Sequence, residues 1–145
     1  MKIILTLLLG IFAFPAFSQS SYTWKEFPNS KEITVANAGE VKTFENTMQS
    51  VVDYFYASRI RKDSEWEKVV PVAAERSERM LRELTKYDTW TITKYHIVSS
   101  TEFEPGKFWV KIYMEISIDG RTKGATDEAD VELINGKWVI TSVPT

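Results

Sequence analysis

Cysteine is absent from the 145 residues, and histidine occurs once, at His96. The first absence excludes a disulfide framework, a thiol nucleophile, a cysteine metal site and a lipid-bearing cysteine. The second leaves most zinc constellations short of ligands. Gly 6 and Pro 5 are too few for a fibrous or low-complexity chain, and 18 basic against 20 acidic residues leave no basic excess for nucleic acid. What is there, 43% hydrophobic and 26% charged, describes one globular domain.

The first segment reads as an address. Lys2 precedes an apolar run from Ile3 to Phe14, followed by Pro15, Ala16, Phe17 and Ser18. A short basic start, an apolar stretch and small residues at its end predict a secretory signal over 1–18, cleaved after Ser18. A membrane anchor is the alternative, because the run and its flanks approach spanning length. Pro15 and the missing basic flank favour cleavage. The chain is then periplasmic or secreted, with no stable membrane span after cleavage. Losing Lys2 shifts the charge balance by one, too little to imply a charged partner.

Residues 19–40 read as an extended lead-in, whose one strand-like run is Glu32 to Ala36. From Val41 the period becomes helical. Val41, Phe44, Met48, Val51, Val52 and Phe55 share a face, Lys42, Gln49 and Asp53 lie opposite, and the helix ends near Arg59. Ser64, three residues before Glu67, has the spacing of a capping box and predicts a short helix carrying Trp66 and Val69 inward. Pro71 suits the first turn of a third helix with Ala73, Ala74, Met80, Leu81, Leu84 and Tyr87 inside. Glu75 with Arg79, and Glu78 with Arg82, fall at four-residue spacing on its solvated side.

After Asp88 the period is two. Phe108, Val110, Ile112, Met114, Ile116 and Ile118 alternate with Trp109, Lys111, Tyr113, Glu115 and Ser117, which is a strand with one buried face. Asp119-Gly120 and Asn135-Gly136 suit two-residue hairpin turns. Closing the first sets Val110 opposite Ala129, Phe108 opposite Val131, Ile112 opposite Asp127 and Lys111 opposite Glu128. Closing the second sets Val131 opposite Ile140 and Leu133 opposite Trp138. Both turns put Ala129, Val131 and Leu133 on one face, and a slip of one residue would break that agreement. A looser turn at 104–107 pairs His96 with Glu115 outside and turns Tyr95 and Ile97 inward; this register is the one a bulge would upset.

Three helices packed on a curved antiparallel four-stranded meander, an α+β arrangement over 41–145, resembles the NTF2-like superfamily of cystatin-like folds. The residues carrying the likeness are Val51, Tyr54, Phe55 and Ala57 leading to Asp63 and Trp66, and the closing run Ile134, Asn135, Gly136, Lys137, Trp138, Val139 and Ile140. The resemblance implies a concave pocket. Members include steroid isomerases, dehydratases, cyclases and many secreted domains, so the fold alone does not choose among activities.

Phe55, Tyr56, Tyr95, Met114 and Asp127 would line that pocket. Asp127 is a carboxylate on a mostly apolar face, and with Tyr95 or Tyr56 as oxyanion donor it could act as a general base. The plainer reading makes it a rim residue pairing with Arg121 or Lys123 in water. His96 with Glu115 reads as a surface pair. Asp127, Glu128, Asp130 and Glu132 are split between strand faces and lack a glycine-turned loop, so no metal is implied, and no cofactor. Trp109, Tyr113, Val98 and Val139 make an outer-face patch suited to a homodimer. The expectation is a non-catalytic domain binding a small apolar ligand or a protein partner, with a small-molecule isomerase, dehydratase or cyclase as the alternative.

Overall fold

Thr47 sets where the first helix begins. In the computed structural model, which describes residues 22–27 and 30–145, its hydroxyl accepts the Ser50 amide at 3.1 Å, while Ser50 Oγ accepts the Glu45 amide at 2.8 Å. Thr47 thus caps the first turn, and Ser50 holds the segment that leads into it. Helix α1 therefore runs Met48–Arg61, not from Val41. Phe44 precedes it, exposed, with its ring 4.7 Å from that of Tyr54. The apolar spacing at 41–55 continued through a loop, and caps rather than periodicity placed the boundary. The leader reading over 1–18 lies outside the described residues.

Among the described residues the expected three helices are two. At the Ser64 site no side-chain cap forms and only a 3-10 turn, Glu65–Val69, follows; Asp63 accepts the Glu65 amide at 3.1 Å instead. Pro71 opens no long helix either. A 3-10 turn at Ala73–Glu75 intervenes, its two alanines exposed, before Ser77 accepts the Met80 amide at 3.0 Å and starts α2, Glu78–Thr89. Met80, Leu84 and Tyr87 are buried as their spacing predicts, but Leu81 is exposed. The salt bridge on this helix is Arg79 with Glu83 at 2.9 Å, and Glu83 is nearly enclosed. Its carboxylate also accepts Ser142 Oγ at 2.9 Å and the Val143 amide at 3.0 Å, which draws the chain terminus onto α2.

Among the described residues the sheet has six antiparallel strands, not four. Two-residue strands β1, Lys25–Glu26, and β2, Ile33–Thr34, pair with β3, Thr91–Glu104; then follow β4, Lys107–Ile118, β5, Arg121–Ile134, and β6, Lys137–Ser142. Both glycine hairpins hold their expected registers. Asp119, Gly120, Asn135 and Gly136 all have positive φ, and Val110 faces Ala129, Ile112 faces Asp127, Lys111 faces Glu128 and Val131 faces Ile140. Within β3 the expected register fails: His96 faces Tyr113, and Lys94 faces Glu115. Three shifts interrupt the β3–β4 ladder, and two of them lie between the turn and His96. Two single-residue bulges cancel in parity, so Tyr95 and Ile97 still point inward and are fully buried.

Helix α1 lies against the inner face of the sheet, with β2 and the 3-10 turns Ala38–Glu40 and Glu65–Val69 packed around it. Val51, Val52, Tyr54, Phe55, Tyr56, Ala57, Ser58 and Ile60 are all buried. A helix enclosed on nearly every side has no solvated stripe. Asn46 docks its start on the last hairpin, accepting the Trp138 amide at 3.0 Å and donating to Gly136 O at 2.8 Å. Arg61 ties its end to the lead-in by donating to Ala38 O and Val41 O, both at 2.8 Å. Among the described residues, no helix is long and apolar enough to cross a membrane.

Candidate functional site

The inner face divides along the strands. Beneath α1 it is filled with aromatic rings. Tyr56 stacks on Tyr95 with centroids 4.4 Å apart and planes 10° from parallel, and Phe55 meets Tyr56, Trp66 and Tyr87 edge-on. The hydroxyls inside this packing have protein partners. Tyr56 and Tyr87 share a hydrogen bond of 2.8 Å, and Tyr95 donates to Asp53 Oδ1 at 3.0 Å. Burial pushes all three phenols above their usual range, so at neutral pH they remain protonated.

Asp53 is the residue that sequence reasoning placed wrongly. It sat with Lys42 and Gln49 on the polar side of the helix; instead it is partly enclosed and receives the Tyr95 hydroxyl. Burial raises its carboxyl to about 6, against the lowering effect of that hydrogen bond. Its one legible signal was position: Asp53 falls within a turn of Tyr54, Phe55 and Tyr56, three aromatics that no single stripe accommodates.

Past the end of α1 the face opens into a groove of about 240 Å³. Its walls are Ile112, Met114, Ile116 and Ile118 of β4, Lys123, Ala125 and Asp127 of β5, Trp90 after α2, and Pro144 and Thr145 of the tail. The walls are mostly carbon, with Lys123 and Asp127 the charged groups. Of the five expected pocket residues, Met114 and Asp127 line this groove, while Phe55, Tyr56 and Tyr95 belong to the packed cluster. Asp127 is exposed, and its Oδ1 accepts the amide of Glu128 at 2.8 Å. Tyr95 donates to Asp53 instead, so the pairing needed for a base and an oxyanion donor does not form.

On the outer face Trp109, Tyr113, Val98 and Val139 are each half-buried within the chain. Tyr22 meets Trp109 edge-on at 5.1 Å and Phe103 stacks on it at 4.4 Å. Tyr113 lies along the sheet over Gly124, where an added Cβ would come within 3.1 Å of its ring carbon Cζ, and it donates to Glu115 Oε2 at 2.7 Å. The patch is thus largely occupied by its own neighbours. His96 sits 5.3 Å from the Tyr113 ring and shares no strand pairing with Glu115. Among the described residues, no three His, Asp or Glu side chains gather as a metal site would require.

A second cleft, polar and about 360 Å³, is lined by Arg59, Lys62, Asp63, Trp66, Tyr87, Asp88 and residues 89–91. The Arg59 guanidinium lies 4.8 Å from the Trp66 ring centroid and donates to Asp88 at 3.0 Å, so its charge is matched within the chain. No protein-family model matches the chain, and comparison with curated proteins and with solved structures finds no match either.

Proposed function

We propose that this chain is a secreted or periplasmic domain of the NTF2-like type, and that it binds a small apolar ligand without transforming it. The observation that carries this reading is the groove over Ile112, Met114 and Ile116, a carbon-lined hollow outside the packed aromatic cluster. Isolated apolar cavities of roughly 150 Å³ already accept a benzene ring, so this one suits a bicyclic ring or a short acyl chain. Lys123 at the lip could meet an anionic head group. The isomerase reading is less well supported. It requires Asp127 enclosed with a tyrosine in reach, and Asp127 stands in solvent while the buried tyrosines donate elsewhere.

Titration with octanoate and with naphthalene, followed by the methyl resonance of Met114 and the indole resonance of Trp90, tests it. Saturable shifts confined to these groups, and abolished in Ala125→Trp, are expected. Non-saturating shifts, or shifts spread over the outer face, would reject the groove as a binding site.

A further inference from the structure

β6 pairs with β5 only between Asp130 and Ile134. Beyond Ser142 the tail leaves the sheet, because Glu83 holds the Val143 amide and Pro144 has none to offer. From Arg121 to Ala129, β5 is therefore bonded to β4 on one side and, among the described residues, faces no strand on the other. Every side chain from Arg121 to Glu128 is exposed.

A two-residue hairpin makes its flanking residues a hydrogen-bonded pair, so Arg121 and the alternate residues after it direct their backbone groups to β4. Thr122, Gly124, Thr126 and Glu128 direct theirs to the open edge. The Glu128 amide folds back onto the carboxylate of Asp127, which is what a donor without a neighbouring strand does. Exposed edges are normally blunted by bulges, proline or a covering segment. This one has no register shift against β4, no proline and, among the described residues, no covering strand.

We propose that this edge joins two copies of the chain, β5 against β5, antiparallel about a two-fold axis through Ala125. Antiparallel partners directly opposite one another lie on the same sheet face, so two-fold pairing must match residues of the same inward or outward sense. Ala125 is the midpoint of the open edge, and only there does the whole edge pair. That register sets Lys123 of each copy opposite Asp127 of the other, once on each side of the axis. Gly124 falls opposite Thr126, Thr122 opposite Glu128 and Arg121 opposite Ala129, so no like charges face each other. The charges that would repel an arbitrary strand thus attract a second copy, and the joined sheet extends the wall of each apolar groove.

Sedimentation equilibrium over a roughly thousandfold concentration range reads the association directly. A mass that doubles with concentration is expected, with slowed amide exchange at Thr122, Gly124 and Thr126. Lys123→Asp and Asp127→Lys should each weaken the dimer about tenfold or more, and the two together should restore it. Thr126→Pro, which removes an edge amide and nothing bonded to β4, should give a folded monomer by circular dichroism; the charge variants stand if it misfolds. A monomer throughout overturns the proposal. So does a dimer indifferent to these variants but broken by Trp109→Asp, or edge protection that arises only with an unrelated extended peptide.

Discussion

β3 and β5 are both 14 residues long and border the same central strand, yet one is sealed and the other is bare. Three register shifts kink β3 against β4. Its far side is taken by β1, by β2 and by side chains of the lead-in, with Ser30 Oγ accepting the Ile97 amide at 3.0 Å and Thr101 donating to Thr23 O at 2.7 Å. β5 runs straight along β4 and loses its outer neighbour at Asp130. The same contrast divides the inner face, where β3 contributes Tyr95 and Ile97 to a closed core and the exposed half of β5 walls an open groove. Packing is thus concentrated at one end of the sheet and the proposed binding surface lies at the other, in keeping with recognition drawing on a protein's least constrained regions.

That division can be broken most directly by truncation. Phe55 is fully buried amid Tyr56, Trp66 and Tyr87, so Phe55→Ala should cost about 4 kcal/mol in urea unfolding. Ile118→Ala at the open end, 38% exposed, should cost less than about 1 kcal/mol. Equal losses would remove the contrast.

Glu83 is next in size. Glu83→Ala strands the Val143 amide and the Ser142 hydroxyl in a buried setting, and a loss of about 3 kcal/mol is expected. Amide exchange at Val143 should become fast while that at Val110 stays slow. Persistent protection of Val143 would mean that something other than Glu83 lifts the tail from β5.

A third effect depends on pH. Because Asp53 titrates near 6 in the folded chain and near 3.8 otherwise, the folded state holds a proton that the unfolded state has released between those values. The contribution of Asp53 to stability should therefore be greatest below pH 4, decline as pH rises to about 6, and level off above, by about 3 kcal/mol in all. Asp53→Asn keeps an acceptor for Tyr95 and should flatten this slope while raising the melting temperature at pH 7.5. An unchanged slope would place the titrating group elsewhere.

Much of the sheet was legible because strand alternation and two glycine turns constrain one another locally. Asp119-Gly120 and Asn135-Gly136 each need positive φ, and between them they decide which side of β5 is buried. β3 was legible in its faces but not in its pairings, since nothing in the residues around Val98 and Phe103 announces a bulge. The helices were less legible. Ser64 and Glu67 have capping-box spacing, yet the Glu67 amide bonds to the Ser64 carbonyl in a 3-10 turn and Asp63 accepts the Glu65 amide. Met114 and Asp127 line the groove because alternation places them on the inner face. Phe55, Tyr56 and Tyr95 fill the packed cluster instead, and a core residue carries the same apolar pattern in sequence as a groove residue.

By itself the sequence determined the α+β class, the two tight hairpins, the registers of β5 with β4 and with β6, and the inward set from Phe108 to Ile118. These follow from backbone sterics and side-chain alternation over a few residues. Only the tertiary structure decided that Asp53 would meet Tyr95, that Glu83 would capture the tail, and that rings would fill one end of the concave face while the other stayed open. Those outcomes depend on which distant segments reach the same space first, and a carboxylate or a tyrosine reads the same in sequence whether its partner is water or a residue forty positions away.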